Sequence, residues 1–390
     1  MDTLTLEQVI VLSRHGIRTP LPHTLEFLSE LTSKNWPKWD CAPGYLTTRG
    51  GTLESYFGNY LINYLAGLEF TLSPDDIFIY ANSIQRTVAT AQYFSVGAFA
   101  GLDVPVRHRY PIDRMDPIFD SIIRDGSPAF QTRVINDFKR HTHSAELIEK
   151  LDQRLAPAYD LLSDILDYKQ STFYQQYQCE FSQLPTQVDI IAGKEPLLRG
   201  PLALGTAIAD AFTLQHYSGF AKHDVAWGGI TTAQQWQTII NVKNQSLNLL
   251  CQSPVLATHF ALPLVEFITA LFAEEKHKFN LLVGHDSNIF ALLAALGFEH
   301  SSLPEQYEQA PIGGKVVFYL WHDKQRQQHY FKAEFIYQTF EQLHLAEPIS
   351  LTNPPKHITL NFSDITPKQP GLYLWQDVSK KLHNFLVNAD

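Results

Sequence analysis

Two arginines and a histidine, Arg14, His15 and Arg18, stand within five positions in the stretch "LSRHGIRTPLP", residues 12–22. They follow the apolar run Val9–Leu12 and precede two prolines, Pro20 and Pro22. Arginine suits a phosphate, because its planar fork donates two parallel hydrogen bonds and keeps its charge at any ordinary pH. Histidine adds a second capacity, since an imidazole can attack phosphorus as well as donate to its oxygens. Further along, Arg86 lies in "DDIFIYANSIQRTVATAQYF" (75–94), and His285 with Asp286 in "FNLLVGHDSNIFALLAALGF" (279–298). A carboxylic acid beside such a cluster, as Asp286 would be, can protonate a departing alkoxide. These six residues form a complete set for phosphoryl transfer without a metal ion.

The elements that must bring them together share one design. In each of the three stretches an apolar, strand-like run stops at polar residues and turns into a helix-like pattern. Residues Ile77 to Tyr80 predict a buried strand and Ile84 to Phe94 a helix, with Asn82 or Ser83 as its N-cap. Leu281 to Val283 predict another strand, followed by a helix capped by Ser287 or Asn288, whose apolar face includes Phe290, Leu293 and Leu296. Strands alternating with helices predict an α/β fold with a mostly parallel sheet. In such sheets ligands bind beyond the carboxyl ends of the strands, where helix N-termini offer free N–H groups to anions. The stripe Leu53, Tyr56, Phe57, Tyr60, Leu61 and Tyr64 in residues 50–67 has helical spacing and reads as core.

Composition sets the bounds. A chain of 390 residues, 45% apolar and 12% aromatic, can bury a sizeable core and suggests two domains. A formal net charge of -10 argues against nucleic acid or an anionic membrane as partner, so any anion site is local. The longest apolar stretch, residues 255–272, carries His259, Pro263 and Glu266 and does not read as a transmembrane span. The N-terminus lacks the basic start, apolar core and cleavage site of a signal peptide. The expectation is a cytoplasmic protein, or a periplasmic or secreted one if a signal has been removed. Three widely spaced cysteines, Cys41, Cys179 and Cys251, make no disulfide framework and no zinc pattern, although one bridge stays open. No H-E-x-x-H occurs, and His141 and His143 in "KRHTHS" read as a solvated segment, so neither a metal nor a cofactor is expected.

The dipeptide His-Asp occurs three times, at 223–224, 285–286 and 322–323. Only the middle pair follows a strand and a glycine and opens an apolar helix. The first sits in a loop-like stretch, and the third leads into a polar connection between two strand-like runs, which reads as a hairpin.

With these residues in view, "RHGIRTP" resembles the signature of the histidine acid phosphatases, branch 2 of the histidine phosphatase superfamily, and "GHDSN" its distal His-Asp motif. The stretches "MDPIF", "EPLLRGPL", "DAFTLQHY" and "PIGGKVVF", in order along the chain, resemble bacterial glucose-1-phosphatase members of that family. The resemblance implies a phosphoglycerate-mutase-like α/β domain from residues 1–115 and 250–390, with a mostly helical domain, 116–249, inserted between. "SAELIEKLDQRLAPAYDLLSDILDY" (144–168), read as a helix broken near Pro157, and residues 200–217, read as another, agree with that split. It further implies His15 as nucleophile, Asp286 as proton donor, and Arg14, Arg18, Arg86 and His285 as phosphate ligands, with Thr19 steadying the loop or the phosphate. Glu195 matches a glutamate of the glucose-1-phosphatase-like members. A carboxylate near the entrance repels a highly phosphorylated substrate such as phytate more than a monophosphate. The expected activity is metal-independent acid hydrolysis of sugar phosphates with weak action on phytate. A true phytase is the alternative, and a phosphate-binding protein without catalysis a weaker one.

Overall fold

The computed structural model describes residues 4–141, 147–251, 253–274, 276–299 and 302–389. The chain begins with strand β1 (Leu4–Arg14), then helices α1 (Pro22–Glu30) and α2 (Thr48–Ala66), strand β2 (Ile77–Ala81), helix α3 (Gln85–Ala98) and strand β3 (Val106–Arg107). A mostly helical stretch follows: α4 (Pro128–His141), α5 (Leu147–Leu166) and α6 (Thr172–Tyr177), the short strands β4 (Gln187–Asp189) and β5 (Leu197–Arg199), then α7 (Pro201–Tyr217) and α8 (Ala233–Cys251). The chain then returns through α9 (Pro254–Glu274), β6 (Phe279–Gly284), α10 (Asp286–Ala295), β7 (Lys315–Asp323), β8 (Gln328–Tyr337), α11 (Phe340–Leu345), β9 (Lys356–Thr359), β10 (Tyr373–Leu374) and α12 (Trp375–Asn388).

The main sheet runs β10-β8-β7-β1-β6-β2-β3, with β9 paired to β8. Its parallel half, β1-β6-β2-β3, is the part the strand–helix alternation predicts. The half beyond β1 is antiparallel, built from β7 and β8 as the predicted hairpin. Register aligns the working ends: Arg14 lies opposite Gly284, and Ala81 opposite Val283. Three strands thus deliver their following residues to one level.

Strand β1 is buried on both faces, which is why it reads as a continuous apolar run. Val9 and Val11 pack with Leu61 of α2 and Phe94 of α3, whereas Ile10 and Leu12 join the core that includes Leu264 of α9 and Ile289 of α10. Helix α9 is long and apolar enough to cross a membrane by length and composition. Here it is a core helix, with Leu256, Phe260, Leu264, Val265 and Ile268 buried. Gly50 lets α2 approach the loop after β1: a Cβ there would stand 2.4 Å from the Ile17 carbonyl oxygen.

Three local expectations are corrected. Helix α5 runs through Pro157 without a break. A proline inside a helix costs about 3 kcal/mol, and burial of Leu151, Leu155, Tyr159 and Leu162 along the same helix outweighs it. Helix α3 starts at Gln85 with Ile84 at the N-cap; Asn82 and Ser83 turn their side chains to His285 and Tyr110 instead. Helix α10 starts at Asp286 with His285 at the N-cap. Asn288 lies one turn in, where its Oδ1 accepts the His285 backbone N–H (2.8 Å).

Candidate active site

The loop after β1 is fixed from several sides. The His15 N–H donates to the Gly284 carbonyl (3.0 Å), and the Gly16 N–H to Thr90 Oγ1 (2.9 Å). Thr19 Oγ1 donates to the Ala42 carbonyl (2.7 Å), which commits its proton to the loop. Behind the loop the buried pair Lys315–Glu54 (2.9 Å) ties in Ser13, whose Oγ lies 3.0 Å from the Lys315 Nζ. These bonds pin the backbone on which His15 stands.

His15 is 3% exposed. Its Nδ1 lies 2.9 Å from the Gly16 carbonyl oxygen, which can only accept, so Nδ1 carries the proton and Nε2 keeps its lone pair. Burial, and then the positive charges of Arg86, Arg14 and Arg18, hold its pKa well below the usual value. A neutral ring with a free Nε2 lone pair is the nucleophilic form. The His285 ring stands edge-on to it, with centroids 5.6 Å apart. His285 is likewise held neutral by burial and by Arg86.

The arginines differ in how they are held. Arg14, 1% exposed, pairs through Nη2 with Asp286 (2.9 Å) and through Nη1 with Glu308 (3.0 Å). Burial opposes its charge, but Asp286, Glu308 and Asp210 overcome this and raise its pKa. Arg18 pairs with Asp210 (2.9 Å). Arg86 makes no ion pair among the described residues; burial and the neighbouring charges of Arg18 and Arg14 lower its pKa to about 10. The Nε atoms of all three are buried and have no protein acceptor among the described residues. Buried guanidinium N–H groups without acceptors, around a neutral histidine, make an anion site.

Asp286 accepts the Ser287 N–H at Oδ1 (3.0 Å) and holds Arg14 at Oδ2. Burial pushes its pKa up, but Arg14 and Lys243 pull harder and leave it below the ordinary carboxylate value. Glu195 is exposed to solvent. Desolvation by the neighbouring protein and the like charges of Asp120 and Asp286 raise its pKa against the pull of Arg86. It therefore stands within electrostatic reach of the anion site.

The structure thus groups His15, Arg14, Arg18, Arg86, His285 and Asp286, with Thr19 in the loop below and Glu195 at the edge. Sequence reasoning missed the carboxylates and the lysine behind them. Lys243 of α8 lies 2.6 Å from Asp210 of α7 and 2.8 Å from Glu308. Asp210 is depressed well below its usual pKa: desolvation raises it, but Arg18 and Lys243 outweigh that. The available signal was charge inside apolar helical runs, "GTAIADAFTL" for Asp210 and "TIINVKNQSL" for Lys243. Nothing in one sequence tied them to Arg14 and Arg18.

The other candidates lie elsewhere. His223 and Asp224 are exposed. His322 and His329 pair across β7 and β8 and stack at 4.4 Å, each 3.0 Å from a Glu7 oxygen. One ligand atom from each of Glu7, His322 and His329 lies within 4.8 Å of the others, so this group could hold a metal ion, apart from the histidine–arginine cluster. Cys41, Cys179 and Cys251 are free thiols. His143 and the side chain of His141 lie outside the described residues.

Comparison with known proteins gives the family. The family described as histidine phosphatase superfamily (branch 2) matches residues 5–196 and 213–335. The chain is 39% identical over 388 residues to a glucose-1-phosphatase of Providencia rettgeri, covering 97% of this chain and 91% of that protein. It is 40% identical over 364 residues to a glucose-1-phosphatase of Salmonella typhimurium strain LT2, covering 91% of this chain and 86% of that one. Among solved structures, Hafnia alvei phytase in complex with myo-inositol hexakis sulphate superposes with a TM-score of 0.90 at 29% identity, over 100% of this chain and 99% of that one. The clustered arginines and histidines at the ends of β1 and β6, and the match over most of the length, lead to one conclusion: the chain belongs to branch 2 of the histidine phosphatase superfamily.

Proposed function

We propose that this phosphatase hydrolyses sugar monophosphates, glucose 1-phosphate among them, through a phosphohistidine at His15. The observation that carries the reading is the neutral His15, its Nε2 lone pair free, set among three arginines whose buried Nε–H groups have no protein acceptor among the described residues. Substrate phosphate takes N–H donors from Arg14, Arg18, Arg86 and His285, which offset the charge that develops on the transferring group. His15 Nε2 forms a bond to phosphorus as the P–O bond to the sugar breaks, and the electron pair leaves on the sugar oxygen. Asp286 gives that oxygen its proton. In the second half the Asp286 carboxylate takes a proton from water, the water oxygen bonds to phosphorus, and the N–P bond breaks. Inorganic phosphate and the original His15 result.

Arg14 holds the free Asp286 as a carboxylate. A bound phosphate brings negative charge to the same guanidinium, which raises the Asp286 pKa and favours its acid form. Turnover therefore belongs on the acid side of neutrality. The relatives named glucose-1-phosphatase support a sugar phosphate as substrate, and the phytase superposition supports some action on phytate. Residues 116–249 are proposed as a specificity domain laid over the α/β domain of residues 1–115 and 250–390. In support, Glu195 and the braces Asp210 and Lys243 all come from it.

The test is phosphate release at pH 5 from glucose 1-phosphate, phytate and p-nitrophenyl phosphate by the wild type and His15→Ala. Glucose 1-phosphate preferred, with activity abolished by the substitution, is the expected result. An active His15→Ala protein refutes the phosphohistidine, and phytate preferred by the wild type reassigns the enzyme as a phytase.

A further inference from the structure

We propose that Asn82 is a positioning residue that fixes the tautomer of His285, so that the ring offers Nδ1–H to the phosphate. The proposal rests on the reading of His285 as a phosphate ligand. Asn82 is fully buried at the end of β2, and its backbone N–H donates to the Val283 carbonyl at the end of the adjacent β6 (2.9 Å). The orientation of its amide is set independently of His285. Oδ1 accepts the Asp116 backbone N–H (2.9 Å), a group that can only donate, so Nδ2 faces the other way.

That Nδ2 lies 2.7 Å from His285 Nε2. An amide NH2 can only donate, so Nε2 is the acceptor and the single proton of the neutral ring sits on Nδ1. The Arg86 Nη2 stands 3.4 Å from that same Nδ1. Two donors cannot satisfy each other, and both are left for a third group with lone pairs. A phosphate oxygen supplies them. The groups whose charge reaches the ring are Arg86 of α3, Arg14 at the end of β1, Arg18 of the following loop and Asp286 of α10, and the neutral His15 ring stands edge-on to it. Asp116, hydrogen-bonded to Tyr80, adjoins the far side of Asn82. Protonating Nε2 would set it donor-to-donor against Asn82, so the amide also resists the imidazolium.

Selectively 15N-histidine-labelled protein, with His285→Gln to assign the signal among 16 histidines, reads the tautomer directly. The expected wild-type spectrum has Nδ1 protonated and Nε2 not; the reverse overturns the proposal, whatever substrates the enzyme turns over. The second probe is Asn82→Asp, which keeps an acceptor for the Asp116 N–H but sets an acceptor where a donor faced the ring. Nε2 then takes the proton and the His285 pKa rises. Inhibition by inorganic phosphate, compared with wild type at each pH, becomes pH-dependent. It is retained below the new pKa, where the imidazolium still carries Nδ1–H, and is on the order of tenfold weaker above it. If Asn82 merely braces the backbone, Asn82→Asp leaves the spectrum and the pH profile of inhibition as in wild type. That outcome, or weakening by one factor at every pH, overturns the proposal. Should Asn82→Asp not fold, the wild-type spectrum still decides.

Discussion

Replacing Asp210 with Asn tests the charge network behind the arginines. The carboxylate bridges Arg18 at 2.9 Å and Lys243 at 2.6 Å, and its side chain is 14% exposed. Two unit charges 4 Å apart attract by about 4 kcal/mol at an effective dielectric of 20. The isosteric amide removes that attraction twice and leaves Arg18 without its carboxylate and Lys243 with Glu308 alone. Breaking a buried pair from one side costs about 3–5 kcal/mol, so Asp210→Asn should lose that much stability in urea unfolding at pH 7. Adding Lys243→Met removes the lysine that Asp210→Asn leaves with Glu308 alone, so the double variant should be more stable than the sum of the two single losses by more than about 1 kcal/mol. The pH dependence has a definite sign. Because the folded-state pKa of Asp210 is depressed, its contribution is fully present above the unfolded value near 4 and fades as pH falls through the lower folded value. The variant should lack that acid-side loss. A destabilisation below about 1 kcal/mol, or strictly additive losses in the double variant, would refute the picture of a coupled buried network.

The remaining predictions concern turnover. Asp286→Asn should lower kcat on glucose 1-phosphate by about 10²–10⁴ and on p-nitrophenyl phosphate far less, because nitrophenolate leaves without a proton; equal losses on both would remove Asp286 as the acid. The wild-type rate should peak below pH 7, since the Asp286 pKa is lowered and its acid form is depleted as pH rises; a maximum well above 7 would contradict the role. Glu195→Gln should raise phytate turnover relative to glucose 1-phosphate. Because the Glu195 pKa is raised, its repulsive charge is present only above that value, so the gain should shrink toward acid pH. An unchanged substrate ratio at every pH would take Glu195 out of specificity.

The sequence alone determined which candidate groups stand at the ends of which strands. Arg14, His15 and Arg18 follow an apolar run buried on both faces, and His285 and Asp286 follow another; the parallel pairing of β1 with β6 in the structure sets them side by side. The three His-Asp pairs were separable because only one joined a strand to a helix. Local boundaries were less legible. Asn82, Ser83 and Asn288 have the chemistry of N-caps, yet tertiary partners took the first two and a backbone N–H one turn back took the third. Pro157 reads as a helix break, and burial along α5 overrode it. Only the tertiary structure decided how the cations are held. Asp210 lies 192 residues from Arg18 and Glu308 294 from Arg14, while Lys243 lies 33 from Asp210 and 65 from Glu308. No periodicity links charges so distant, because a buried ion pair is selected by where two helices pack and leaves no pattern along either one.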